Sequence, residues 1–228
     1  MNTNLTEIAF ILDRSGSMAS CVPETLQGFN EFLRDQQALP GQARFTLVLF
    51  DDQYEVPADA LPVAEVVPLD ECTYTTRGCT ALLDAIGKTI DNLGQRLAAT
   101  PEADRPGKVI VAILTDGLEN ASRTYSLAAI NGRITRQRET YAWEFLFLGA
   151  NQDAIATAAH MGIAAQNAAT YVADGSGALS SFASMGRKSR ALRKMSMGIA
   201  DEKDLEDNRL SVEEIQRQED GKRRKRGK

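Results

Sequence analysis

Short apolar runs alternate with amphipathic stretches along most of this chain. Such runs are typical of strands that are covered on both faces of a sheet. They occur at 8–12, 45–50, 63–69, 109–114, 143–148 and 170–173. Between them, apolar residues recur every three or four positions, which is the spacing of one helix face. This spacing predicts helices over 23–37, 82–97, 127–134, 153–161 and 179–195.

Strands that alternate with helices of ten or more residues indicate the α/β class. We therefore predict a doubly wound, mostly parallel central sheet with helices on both faces. The 63–69 run is interrupted by proline, so we expect it near an edge of the sheet. Sheets of this kind bind ligands at the carboxyl ends of their strands, which makes the residues after each strand the place to look for function.

The last part of the chain differs in composition from the rest. Residues 196–228 hold nine acidic and nine basic side chains and few apolar ones. Such a segment is expected to bury little, so we divide the chain into a folded domain at 1–195 and a charged, flexible tail at 196–228. Within this tail, Ser211 and Glu214 have the spacing of a capping box, which predicts a short helix from about 212 to 219.

Oxygen-bearing side chains follow two of the predicted strands. Asp13 closes the first strand and is followed by Ser15 and Ser17, while Asp116 comes just after the 109–114 strand. Thr80 lies near the start of the 82–97 helix and supplies a third hydroxyl. Carboxylate and hydroxyl oxygens suit a hard cation, Mg²⁺ first, with Mn²⁺ and Ca²⁺ as alternatives. Five oxygen ligands from three loops leave one position of an octahedron open.

These residues resemble the metal-ion-dependent adhesion site of the von Willebrand factor type A family. That site consists of Asp-x-Ser-x-Ser, then a loop threonine, then an aspartate after a buried strand, and all five positions match here in order. The resemblance covers about residues 4–195. The stretches 13–18, 78–87 and 114–120 are similar to those of small, free-standing bacterial or phage-encoded members.

The resemblance implies a metal-dependent protein–protein interaction module. A glutamate or aspartate of the partner would complete the metal sphere, and the chain would act as a cytoplasmic adaptor or assembly factor. Side chains around the metal would form the partner-binding rim, and in this sequence they are Arg14, Arg77, Glu119, Asn120 and Arg123.

Charge leaves a second function open. The net charge of −5 argues against a wholly basic nucleic-acid binder. The predicted last helix is nevertheless basic, and a basic block at 222–226 ends the tail, so a nucleoprotein scaffold is the alternative. The basic residues of that helix are Arg187, Lys188, Arg190, Arg193 and Lys194.

A metal-dependent phosphohydrolase is the third possibility and the least favoured. Asp13 has the position of a nucleophile, but the second carboxylate that such enzymes place two residues later is Ser15 here. Glu119 is the nearest candidate base. We therefore assign no catalytic residues and expect a binding protein rather than an enzyme.

The cysteine content and the length of the apolar runs indicate the cellular compartment. Three cysteines are too few for a disulfide framework, and the apolar runs are far shorter than the ~20 residues of a membrane helix. No secretory signal precedes the first strand. We expect a cytoplasmic protein with free thiols and no membrane span.

Overall fold

The computed structural model describes residues 1–150, 153–172 and 175–226. Its centre is a six-stranded sheet. The strands in chain order are β1 (Asn2–Asp13), β2 (Gln42–Phe50), β3 (Tyr54–Pro62), β4 (Pro106–Thr115), β5 (Glu144–Ala150) and β6 (Ala168–Tyr171). They are arranged in the order β3-β2-β1-β4-β5-β6. β3 runs antiparallel to β2 and the other pairs are parallel, so the α/β prediction is confirmed.

Helices cover both faces of this sheet. They are α1 (Val22–Gln37), α2 (Leu82–Ala99), α3 (Leu127–Tyr141), α4 (Ala154–His160), α5 (Gly175–Ser196), α6 (Glu202–Arg209) and α7 (Val212–Arg226). The first five contain or overlap the five predicted helices. No helix among the described residues is long and apolar enough to cross a bilayer.

The alternation of side chains along β1 divides the interior into two cores. Phe10 points to the face covered by α1 and α5, where it contacts Phe29 edge-on and stacks with Phe182. Ile11 points to the opposite face, where α2, α3 and α4 pack. Because both faces are covered, the central strands are apolar at nearly every position, which is why their sequence signal is strong.

One predicted strand is wrong. The 63–69 run is not paired into the sheet; the edge strand is β3, and the chain leaves it in a short 3₁₀ turn at Val63–Glu65. Val63 and Val66 are buried, but their carbonyls accept hydrogen bonds from the Gln37 side chain at 3.0 and 3.1 Å rather than from a strand. This run is apolar because it covers the edge of the core.

The segment after α5 is folded where the structure describes it, contrary to the expected flexible tail. Helices α6 and α7 pack against α5, and Val212 and Ile215 are fully buried. Asp207 is also fully buried and forms ion pairs with Arg187 and Arg190. A high density of charge predicts a solvated segment, but here opposite charges on neighbouring helices form ion pairs.

The start of α7 follows the predicted capping box. The hydroxyl of Ser211 accepts a hydrogen bond from the Glu214 amide at 3.2 Å, and the Glu214 carboxylate accepts one from the Ser211 amide at 2.8 Å. The helix continues past the predicted end at 219 to Arg226. The division of the chain into domains at residue 195 stays a prediction.

Candidate metal centre

The candidate site lies at the carboxyl ends of two neighbouring strands. Asp13 is the last residue of β1, and Asp116 follows the last residue of β4. Because Leu12 pairs with Leu114 in the parallel register, the two aspartates leave the sheet at the same edge. The strand order therefore brings together carboxylates that are about a hundred positions apart in the chain.

Hydrogen bonds link four of the five predicted ligands, namely Asp13, Ser15, Ser17 and Asp116. The Asp13 carboxylate accepts from the Ser15 amide at 2.7 Å. The hydroxyls of Ser15 and Ser17 are 3.0 Å apart, and the Ser17 hydroxyl donates to Asp116 at 2.5 Å. Two serines in the turn after β1 thus bridge the aspartates of two strands.

Thr80 faces the same point from the third segment. A Cβ atom at Gly117 would lie 2.5 Å from the Thr80 hydroxyl and 3.3 Å from the Ser17 hydroxyl. Glycine at this position therefore lets both hydroxyls approach the turn after Asp116. The Thr80 amide donates to the Asn120 side chain at 2.9 Å, which fastens the threonine loop to the loop after β4.

This oxygen set fits a hard divalent cation. Adjacent ligands of an octahedral Mg²⁺ ion are about 3.0 Å apart when each metal–oxygen bond is about 2.1 Å, and the Ser15 and Ser17 hydroxyls are 3.0 Å apart. No cluster of three or more His, Cys, Asp or Glu side chains able to hold a metal occurs in the described part of the chain. A metal at this edge would thus rely on hydroxyls as well as on the two carboxylates.

Burial raises the free energy of both carboxylates in their charged form. It raises the pKa of Asp13 to about 6, although hydrogen bonds from Thr115 and Ser15 lower it, and the charge of Asp116 raises it further. Burial also raises the pKa of Asp116. Neither aspartate forms an ion pair with a cationic side chain in the described ranges. A bound cation would supply the missing positive charge.

Residues that the sequence analysis missed hold this site in place. The fully buried Asp51 follows β2 directly and accepts from Arg14 at 3.1 Å and from Arg77 at 2.7 Å, while its carbonyl accepts from the Ala81 amide. The hydroxyl of Tyr74 donates to the Asp13 carbonyl at 2.6 Å. The signal for Asp51 was present in the sequence, because it is a third acidic residue at a strand end.

Two of the three arginines predicted for the rim, Arg14 and Arg77, are turned toward acidic residues of this chain. Arg14 is 3% exposed and pairs with Asp51 and Glu55. Arg77 is more exposed, but it pairs with the same two carboxylates at 2.7 and 2.6 Å. Both positive charges are therefore balanced by acidic residues of this chain, which leaves little of their charge for a partner.

The other rim residues differ in role from one another. Glu119 accepts hydrogen bonds from backbone amides at the start of α2 and in its own loop, and Asn120 is bonded to Thr80. Arg123 is exposed, and its amide donates to Asp84 at 2.9 Å. Leu118, a residue outside the predicted rim, lies two positions after Asp116 and is 67% exposed.

The basic residues of α5 do not form an open basic surface. Arg187, Arg190 and Lys194 pair with carboxylates of α6, α7 or the preceding turn. Lys188 donates to backbone carbonyls, and Arg193 is buried and donates to Gln36. Lys222 and Arg223 of the terminal block also lie beside glutamates. This arrangement gives no support to nucleic-acid binding.

No protein-family model and no curated protein matches this chain. Solved structures do match. Proximal thread matrix protein 1 from the mussel byssus has 17% identity and a TM-score of 0.55, over 84% of this chain and 46% of that one. The ArnB paralog VWA2 from Sulfolobus acidocaldarius has 15% identity and a TM-score of 0.53, over 79% and 44%.

Two further matches concern the same fold. A von Willebrand factor type A protein from Catenulispora acidiphila has 18% identity and a TM-score of 0.51, over 82% of this chain and 42% of that one. Another structure of the mussel protein has zinc at its metal-ion-dependent adhesion site (MIDAS) motif. It has 18% identity and a TM-score of 0.51, over 84% of this chain and 45% of that one. This chain spans less than half the length of these proteins. It has the von Willebrand factor type A fold.

Proposed function

We propose that this chain is a metal-dependent protein-interaction module. It holds a divalent cation, Mg²⁺ first and Mn²⁺ or Ca²⁺ as alternatives, at the carboxyl edge of its sheet. The ligands are Asp13, Ser15, Ser17, Thr80 and Asp116. The observation that carries the proposal is the 2.5 Å contact of the Ser17 hydroxyl with Asp116, which joins two segments at one point.

The residues present account for how such a cation would be held. Two carboxylates balance a charge of +2, while three neutral hydroxyls add oxygen ligands without adding charge. Hydrogen bonds to both oxygens of Asp13, from the Ser15 amide and the Thr115 hydroxyl, fix the orientation of that carboxylate. The bound ion supplies a positive charge that attracts a sixth, anionic oxygen ligand. The zinc at the MIDAS of the mussel protein supports this assignment.

The partner supplies an acidic side chain next to an apolar one. Because Arg14 and Arg77 are neutralised by Asp51 and Glu55, the cation is the main positive charge that a partner carboxylate can meet at this edge. Leu118 stands 67% exposed beside it and offers an apolar contact. Binding to the partner should therefore be lost when the metal is removed.

We propose binding rather than turnover. Glu119, the candidate base, accepts three backbone hydrogen bonds, from the amides of Leu83, Ala121 and Ser122, at 2.8 to 3.1 Å. A carboxylate whose oxygens already accept hydrogen bonds from backbone amides is poorly placed to take a proton from a substrate. The position two residues after Asp13 is Ser15, whose hydroxyl is shared with Ser17.

The proposed setting is the cytoplasm of a bacterium or of a phage-infected cell, where the chain acts as an adaptor or assembly factor. The thiols of Cys21, Cys72 and Cys79 are unpaired, as is usual in reducing compartments. The choice of organism rests on the resemblance of the stretches 13–18, 78–87 and 114–120 to small bacterial and phage-encoded members of the family.

Calorimetry tests the metal site. Titration of Mg²⁺ into the wild type should give saturable heats that Asp116→Ala abolishes. The matched control is Glu139→Ala, which removes an exposed carboxylate from α3 and should bind as the wild type does. Equal heats for Asp116→Ala and the wild type would refute the site.

An affinity pull-down tests the interaction. Wild type and Asp13→Ala are used as bait in native lysate, each in Mg²⁺ and in EDTA. A protein retained by the wild type in Mg²⁺ and lost in the other three samples supports the proposal and identifies the partner. Retention that is equal in all four samples contradicts it.

A further inference from the structure

A cleft opens at the end of the sheet opposite the metal site. It lies between α2 and α3, next to the residues that begin β4, and its volume is about 510 Å³. Pockets for small molecules are typically about 300–1,000 Å³. β4 has ten residues, so the cleft and the metal site are about 30 Å apart along the strand.

The floor of the cleft is apolar. Leu97 of α2, Val109 of β4 and Trp143 line it, and each of them belongs to the core beneath α2 and α3. Gly94 of α2 also lines it and leaves room, because a Cβ atom there would approach its surroundings no closer than 3.6 Å, at the Gln137 side chain. A planar or aliphatic group could lie on this floor.

The mouth of the cleft is cationic. The guanidinium of Arg105 donates to backbone carbonyls at the end of α2, and neither Arg105 nor Arg136 forms an ion pair with a carboxylate in the described part of the chain. Lys108 also lines the cleft, but its charge is paired with Glu144 at 3.6 Å and it donates to the Ala142 carbonyl at 3.3 Å, so the cationic character comes from the two arginines. The acidic residue in the lining, Asp91, already accepts from Arg133 at 2.9 and 3.1 Å.

We propose that this cleft binds a small organic anion, with an aromatic or aliphatic body on the apolar floor and a carboxylate, phosphate or sulfonate group at the arginines. Guanidinium groups favour such anions because their donors match pairs of oxygens. The site uses none of the metal ligands, so its occupation does not depend on Mg²⁺.

The single tryptophan of the chain supplies the signal for the test. The probe is anilinonaphthalene sulfonate, an aromatic anion that accepts excitation energy from tryptophan at short range. Trp143 lies in the lining, so a probe bound in the cleft accepts energy from it, and loss of that transfer in a variant that fills the cleft assigns the binding to the cleft. We expect one class of site, with the same affinity in Mg²⁺ and in EDTA.

Two variants and a second probe separate this site from general hydrophobic binding. Gly94→Leu fills the cleft and should abolish the energy transfer, while Arg136→Glu should weaken the sulfonate about tenfold and leave neutral phenylnaphthylamine unchanged. Arg34→Glu changes an exposed arginine of α1, on the other face of the sheet, and is the control. Thermal melts show whether each variant folds.

The outcomes decide the proposal. Loss of transfer in folded Gly94→Leu, together with charge-selective weakening in Arg136→Glu, supports an anion site in the cleft. Energy transfer that persists in Gly94→Leu, or that is weakened equally by Arg34→Glu, overturns it. An affinity that disappears in EDTA would place the probe at the metal edge and would also overturn it.

Discussion

Asp51 is the buried carboxylate that joins the loops around the metal site. Its side chain accepts from Arg14 and Arg77, and its carbonyl accepts from the Ala81 amide beside Thr80. We expect Asp51→Asn to lower the free energy of unfolding by about 2 kcal/mol, because it weakens charged hydrogen bonds to a buried arginine. Urea unfolding measures the loss.

Asp52→Asn is the matched control for this substitution, since Asp52 is adjacent in sequence and exposed. It should change stability by no more than about 0.5 kcal/mol. The Mg²⁺ affinity measured by calorimetry should fall in Asp51→Asn as well, because the Thr80 loop loses its support. Identical unfolding midpoints for the two variants would contradict the role given to Asp51.

Glu55 gives the same cluster a dependence on pH. Hydrogen bonds from Arg14 lower the pKa of Glu55 from its ordinary 4.5 to about 2, with a further contribution from Arg77. A carboxylate whose pKa is lowered by folding stabilises the protein above the unfolded pKa. That contribution is lost as the pH falls through the folded value.

The wild type should therefore be more stable than Glu55→Gln at pH 7. This difference in stability should stay constant as the pH is lowered to about 5. The margin should shrink between about pH 4.5 and 2, where the carboxylate of the wild type becomes protonated. Thermal melts of both proteins across this range measure it. A margin that stays constant down to pH 2 would show that the ion pairs contribute nothing to stability.

At the scale of elements, the sequence predicts strands best where both faces of the sheet are buried. The runs in β1 and β4 are apolar on both faces, and their ends place Asp13 and Asp116 at one edge of the sheet. The edge strand β3 is not predicted from the sequence, because it is mostly exposed and contains Pro57. Its pairing depends on β2 rather than on its own pattern.

The partners of charged residues are the part that the sequence did not reveal. Arg14 beside a metal loop suggests an exposed rim, and only the three-dimensional structure shows that Asp51 and Glu55 neutralise it. In the same way, the acidic residues of α6 give no sign in the sequence that they face α5. Charge pattern indicates solvation by default, and tertiary pairing overrides it.

The contact of α6 with α5 is testable through Asp207. This fully buried aspartate accepts from Arg187 and Arg190, so Asp207→Asn should lower the free energy of unfolding by about 2 kcal/mol. For a chain of this size that corresponds to a fall in Tm of about 4–8 °C. Calorimetric melts measure it.

Glu213→Gln is the control for this contact, because Glu213 forms an exposed i,i+4 pair with Arg217. Exposed pairs contribute at most about 1 kcal/mol. If Asp207→Asn melts at the same temperature as Glu213→Gln, the packing of α6 on α5 does not stabilise the molecule, and the charged segment behaves as the tail that its composition suggests.

At the scale of the whole molecule, charge is balanced in some places and unbalanced in others. The cluster around Asp51 and the contact of α5 with α6 are self-neutralising. At the carboxyl edge of the sheet, Asp13 and Asp116 bring two negative charges together without a cationic partner in the described ranges, while Arg105 and Arg136 bring positive charges to the cleft. A cation at the carboxyl edge and an organic anion in the cleft would each neutralise unpaired charge and so lower the free energy of the folded protein.

Binding at the carboxyl edge should stabilise the entire fold. The five proposed ligands come from three segments that meet only in the native state, so we expect Mg²⁺ to bind the folded chain and not the unfolded one. When the free Mg²⁺ concentration is a hundred times its Kd, binding to the folded state adds about 2.7 kcal/mol to the free energy of unfolding. For a chain of this size the corresponding rise in Tm is about 5–10 °C.

Melts at increasing Mg²⁺ should therefore show a Tm that climbs with the logarithm of the concentration once the site is saturated. Asp116→Ala should start near the Tm of the metal-free wild type or above it, because the substitution removes the negative charge that lies next to the buried Asp13 carboxylate. It should then stay constant as Mg²⁺ is added, while Glu139→Ala follows the wild type. A parallel rise in Asp116→Ala would mean that Mg²⁺ stabilises the fold from somewhere other than the end of β4.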